Sequence, residues 1–119
     1  MLNFRDRGIL LEIIKHCQRI LSKNNEMDFD SFLSNDDLRE IICFNLLQIG
    51  ELAKKFTDDF LNRYSKMPWK QIKGMRDKVA HGYGTLDFQL VYETVQTNIP
   101  DLLRYCQDIL AKEDSLNKH

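Results

Sequence analysis

Proline and glycine are scarce in this chain of 119 residues, at two and five. That scarcity argues against long loops and interdomain linkers. No apolar run approaches the ~20 residues of a membrane span. The opening Met1-Leu2-Asn3-Phe4-Arg5-Asp6-Arg7 lacks the basic-then-apolar order of a secretory signal. Cysteine is rare too: Cys17, Cys43 and Cys106 are odd in number, widely spaced and set among apolar residues. They read as small core hydrophobes in a reducing compartment, not as disulfides or a zinc site. A cytoplasmic location without membrane association is expected. Also missing are strand alternation, internal repeats, a glycine loop to cradle a nucleotide, carboxylates at metal spacing and a Ser-His-Asp order. The chain offers no sign of a cofactor or a metal.

What is present is an ordinary globular composition, 43% hydrophobic and 29% charged, enough for one domain spanning 1–119. Ile9, Leu10, Ile13, Ile14, Cys17, Ile20 and Leu21 recur at spacings of three and four, which predicts a helix over about 3–22. Asp28 to Leu33 suggests a short helical turn. Ser34 and two aspartates predict a second long helix to about Phe56, with a stripe of Leu38, Ile41, Ile42, Leu46, Ile49, Leu52, Ala53 and Phe56. Asn45 on its flank reads as an interhelix hydrogen bond. Gly50 in mid-helix costs up to ~1 kcal/mol, for which close approach of another helix would compensate. A short helix opens at Thr57-Asp58-Asp59, and a further one at Pro68. Trp69 on that helix is expected in the core rather than stacked on a base. After Gly82 and Gly84, Thr85 or Asp87 caps a last long helix that Pro100 should bend or split. Residues 112–119 form a polar tail expected to fray. The fold class is all-α, an antiparallel bundle of four to five helices.

Net charge is −1, yet the charge is unevenly spread. Arg63 to Lys78 holds six basic residues and one acid, a balance of +5 that leaves −6 for the rest. A basic island in an acidic body can hold a phosphate chain, with Lys70, Lys73 and Lys78 as the candidate contacts. The same stretch ends in Arg76-Asp77-Lys78-Val79-Ala80-His81-Gly82-Tyr83. Arg76 presents a planar fork suited to phosphate. His81 titrates near neutrality and can take or give a proton. Asp77, four residues before His81, could orient or further protonate its ring. Tyr83, just past the turn, could contact phosphate or offer an accessible hydroxyl. Five helical residues rotate ~140°, so Arg76 and His81 serve one site only if the helix ends near Ala80 or a second copy supplies the partner. Gly82 and Gly84 favour the first arrangement.

Arg76-x4-His81-x-Tyr83 resembles the R-x4-H-x-Y signature of HEPN-domain toxins of the HepT type. The likeness extends to Ile49-Gly50-Glu51-x-Ala53-Lys54-Lys55, to Pro68-Trp69-x-x-Ile72-x-Gly74-Met75-Arg76 and to a long last helix with a proline. It implies a HEPN-type bundle that dimerises, with two motifs meeting in a cleft between protomers. It implies metal-independent cleavage of cellular RNA, tRNA or mRNA, in which a ribose 2′-hydroxyl attacks the adjacent phosphate. His81 would be the acid or base, and Arg76 would steady the charge on phosphorus. Family members commonly carry Asn where this chain has Asp77. The resemblance also implies a toxin-antitoxin module of type VII character. There an MntA-type nucleotidyltransferase antitoxin adds AMP to Tyr83, within a homodimer or a larger hetero-oligomer. The alternative is a non-catalytic helical dimer, an adaptor or binding partner of such a transferase.

Overall fold

In the computed structural model the described residues are 2–24, 27–82 and 87–116, with 78–82 described by their backbone alone. Among them the chain is all-helical: α1 (Phe4–Asn24), α2 (Phe29–Ser34), α3 (Asp36–Ala53), α4 (Asp58–Arg63), α5 (Trp69–Gly82) and α6 (Phe88–Leu116). Four long helices carry the bundle, and α2 and α4 are short connectors. None of the described helices is long and apolar enough to cross a membrane.

Capping side chains mark the starts of α1, α4 and α6. Asn3 accepts from the Asp6 amide at 2.7 Å, Thr57 from Phe60 at 3.2 Å, and Asp87 from Gln89 and Leu90 at 3.0 and 3.2 Å. These oxygens satisfy amides that have no partner inside their own helix. The start of α3 departs from expectation. Its cap is Asn35, in extended backbone geometry, accepting from Leu38 at 3.0 Å. Ser34 is still helical and turns its hydroxyl back to the Ser31 carbonyl.

The core is built where α1, α3 and α6 meet. Leu10, Ile13, Cys17 and Ile20 face Ile42, Leu46, Ile49 and the α6 residues Val91, Val95, Ile99, Leu102, Cys106 and Ile109. Ile41, expected in the α3 stripe, stands 39% exposed on the outer face. All three cysteines are buried and free. Burial pushes Cys17 up to about 12 and Cys43 up to about 11, so both stay protonated and unreactive. Asn45 meets His16 across the helix pair, Nδ1 to Oδ1 at 2.7 Å, as its position on the flank implied.

Pro100 lies inside one continuous helix, so of the expected bend or split it is the split that does not occur. Of the tail expected to fray from Lys112, residues 112–116 are helical and Glu113 is buried. Two contacts hold that last stretch down. Glu113 reaches Arg63 at 3.0 Å and the Tyr64 hydroxyl, and Asp114 pairs with Arg7 at 3.2 Å.

The placement of α5 depends on aromatic packing. Phe56 and Phe60 stack with centroids 3.9 Å apart, and Trp69 packs edge-on to Phe56 at 5.1 Å. The Trp69 indole donates to the Tyr64 carbonyl at 2.8 Å, so its polar atom is satisfied while the ring is buried. Trp69 is therefore the anchor that fixes the first turn of α5 against α4.

Candidate functional site

From that anchor α5 runs along α3. The closest approach is at Gly50, where an added Cβ would lie 2.3 Å from the Arg76 Cβ. Real side chains do not come so near, so position 50 must lack one for Arg76 to sit there. The expected compensation for a mid-helix glycine is thus a specific one. It brings α3 and α5 together at Arg76.

The neighbours of Gly50 then reach the arginine. Glu51 pairs with Arg76 through Nε, and Asp77 Oδ1 accepts from Nη1 at 3.1 Å. Lys54, the residue that caps the end of α3, donates to the same Asp77 oxygen at 3.2 Å. Two carboxylates and two cations therefore alternate in a chain across the helix pair, Glu51 to Arg76 to Asp77 to Lys54. Asp77 is held below the usual carboxylate range, first by Lys54 and then by Arg76. The Arg76 guanidinium is raised further above neutrality, first by its bond to Asp77, with Glu51 adding to the effect. The cluster is half-open: the Arg76 side chain is 26% exposed and Glu51 35%. A cation held this way stays charged and still borders solvent, as a phosphate-binding group must.

Glu51 and Lys54 belong to the stretch that carries the family likeness, yet their spacing alone assigns them no part in the chemistry. The one signal in the sequence is a carboxylate directly after a helix-interior glycine. Asp77, expected to orient or protonate His81, accepts through Oδ1 from both Lys54 and Arg76. Lys70 is exposed and Lys73 partly so, both on α5. The side chains of Lys78 and His81, and all of Tyr83, lie outside the described residues.

One backbone observation bears on His81. Helix α5 runs unbroken through Gly82, past the expected end near Ala80. No described glycine adopts positive φ, so Gly82 does not break the helix in left-handed geometry. Positions 76 and 81 thus lie ~140° apart around one helix axis.

Beside Arg76, helices α3, α5 and α6 border an apolar groove of ≈ 610 Å³. Ile49, Ile72, Met75, Leu90 and Leu102 line it, with Lys66 and Asp101 among its polar members.

A family model described as "Ribonuclease HepT-like" matches residues 10–109, a span that includes the whole Gly50–Arg76 contact and His81. A protein of Caldanaerobacter subterraneus subsp. tengcongensis, named "Putative RNase", is 33% identical over 107 residues, covering 90% of this chain and 96% of its own. One from Methanocaldococcus jannaschii with the same style of name is 29% identical, over 87% and 86% of the two chains. The "Probable ribonuclease HepT" of Thermococcus cleftensis is 30% identical, over 81% and 87%. No solved structure matches. Because the match runs from the first core helix through the arginine cluster to the last helix, the chain belongs to the HepT-like ribonuclease family.

Proposed function

We propose that this chain is a metal-independent endoribonuclease, the cytoplasmic toxin of a toxin-antitoxin pair, acting as a homodimer. The observation that carries the reading is Arg76, charged, half-open and held against Gly50 at the heart of the family match. The continuous α5 supports the dimer. One helix keeps positions 76 and 81 on different sides, whereas two copies related by a twofold axis can bring both motifs to one cleft. The apolar groove along α5 offers a second protomer a surface to bury.

In the proposed reaction a His81 imidazole takes the proton from a ribose 2′-hydroxyl, and the oxygen attacks the adjacent phosphorus. A second His81, from the other protomer, gives a proton to the departing 5′-oxygen. The products are a 2′,3′-cyclic phosphate and a 5′-hydroxyl. Arg76 balances the charge that builds on the non-bridging oxygens. Lys70, Lys73 and Lys78 hold the flanking phosphates, a contribution that weakens with salt. Tyr83 is the control point: AMP transferred from ATP by a cognate MntA-type antitoxin, with pyrophosphate leaving, places negative charge at the cleft.

The deciding experiment is cleavage of RNA by purified protein in excess chelator. Wild type should yield cyclic-phosphate ends and His81→Ala none, with the helical circular dichroism unchanged. Cleavage that survives in His81→Ala, or that needs magnesium, removes the mechanism. Light scattering should give a dimer; an active monomer counts against the shared cleft. Co-expression with the transferase should add the mass of AMP to wild type and not to Tyr83→Phe.

A further inference from the structure

We infer that Glu51 is a positioning residue for Arg76, setting the guanidinium before RNA arrives. The inference rests on the ribonuclease reading above and adds a residue to it.

Three observations carry it. Gly50 fixes where the arginine begins, because its missing Cβ lets the Arg76 Cβ lie directly on α3. Glu51, the next residue on α3, then engages Arg76 at Nε, the nitrogen nearest the aliphatic stem. Asp77 engages a different nitrogen, Nη1. The two carboxylates are not equivalent. Asp77 is 57% exposed and shares its oxygen with Lys54, so it is half neutralised already. Glu51 is 35% exposed and comes from the facing helix, so its hold on Arg76 ties the side chain to the scaffold.

The physical argument concerns freedom of motion. An arginine side chain has four rotatable bonds and correspondingly much rotamer entropy to lose. Contact at the Cβ removes freedom at the base, and a carboxylate on Nε removes it near the tip. The guanidinium plane is then fixed before substrate binds, which is how a group comes to favour a transition state over a ground state. A carboxylate serving only to solubilise the helix would have no reason to turn onto an arginine of another helix. The proximity of Gly50, Glu51 and Arg76 is a tertiary arrangement, made of residues 25 positions apart in the chain (76 less 51).

The test separates contact from catalysis. Arginine Nε–H signals are recorded by NMR, the Arg76 peak being assigned by its loss in Arg76→Lys. In wild type the Arg76 Nε–H should exchange slowly with solvent. It should exchange faster in Glu51→Ala and slowly again in Glu51→Gln, whose amide oxygen still accepts. In parallel, kcat for RNA cleavage should fall ~10- to 100-fold in Glu51→Ala with KM little changed, the size expected for a misplaced catalytic group. Glu51→Gln should recover most of the loss. In an Arg76→Lys background, Glu51→Ala should cost nothing further. An active wild type whose kcat ignores Glu51→Ala, or an additive double variant, overturns the positioning role alone. Unchanged Arg76 exchange in Glu51→Ala overturns the contact. A wild type inert on RNA, with its Arg76 signal still responding to Glu51, overturns the ribonuclease reading and leaves the contact standing.

Discussion

Among the described residues, the arginine–carboxylate clusters around Glu113 and around Arg76 differ in burial. At one, Glu113 is 1% exposed and gathers Arg63 and the Tyr64 hydroxyl. At the other, Arg76 pairs with Glu51 and Asp77, and Asp77 in turn with Lys54, all between 26% and 57% exposed. In the first the carboxylate is the enclosed member and the cation sits at the rim. In the second no group is fully enclosed and the arginine is central. A buried carboxylate left without its donors costs several kcal/mol, so the first cluster acts on stability. A half-open arginine costs little to keep charged and can exchange partners, so the second is suited to a passing anion. The same residue types thus do different work according to which one is withheld from water.

The comparison can be broken by variants, taken here from the largest expected effect to the smallest. Arg76→Ala should slow RNA cleavage ~100- to 1000-fold, as loss of one preorganised donor does. Its melting temperature should barely move, and a large drop there would make Arg76 structural like Arg63. Arg63→Met should do the reverse. It should lower the unfolding free energy by about 3 kcal/mol in urea titration, the low end for breaking a buried pair because Arg63 is 43% exposed. Cleavage by the fraction that stays folded should be normal. Tyr64 belongs to the same cluster, its hydroxyl pushed up to about 12 by burial and then by Glu113. Tyr64→Phe should therefore destabilise without an alkaline signature.

Gly50→Ala probes the hinge between stability and function. Alanine favours the helix by up to ~1 kcal/mol, but its Cβ would collide with Arg76 and push α5 away. Overpacking of that kind costs about 1–3 kcal/mol, so a net loss is expected together with slower cleavage. A variant that is more stable and equally active would show that the approach at Gly50 is unnecessary.

The smallest effect is one of pH. The folded Asp77 carboxyl is held below its ordinary value of 3.8, so its pairing stabilises the fold fully above that range. The contribution fades as pH falls through the lower folded value. Wild type and Asp77→Asn should thus differ by a constant amount from pH 7 to about 5, and converge in stronger acid. Thermal melts across that range would show it, and a gap that widens in acid contradicts the sign.

Much of the molecule could be read along the chain. Apolar spacing of three and four placed α1, α3 and α6. Thr57-Asp58-Asp59 announced α4, and Asn45 announced its bond to another helix. These features are local, since helix periodicity and caps depend on residues within one or two turns. The R-x4-H-x-Y motif and the HepT-like character were likewise written in consecutive residues.

Tertiary structure decided the rest. It alone turned Gly50 from a helix penalty into the seat of Arg76, and gave that arginine to Glu51. It alone showed the helix continuing through Gly82, which sets Arg76 and His81 on different sides of one axis. It extended α6 to Leu116 by burying Glu113 beneath Arg63 and Tyr64. Each of these depends on which residues from distant segments come within a few ångströms of each other. A linear pattern records which face of a helix is apolar, but not which residue of another helix that face will meet.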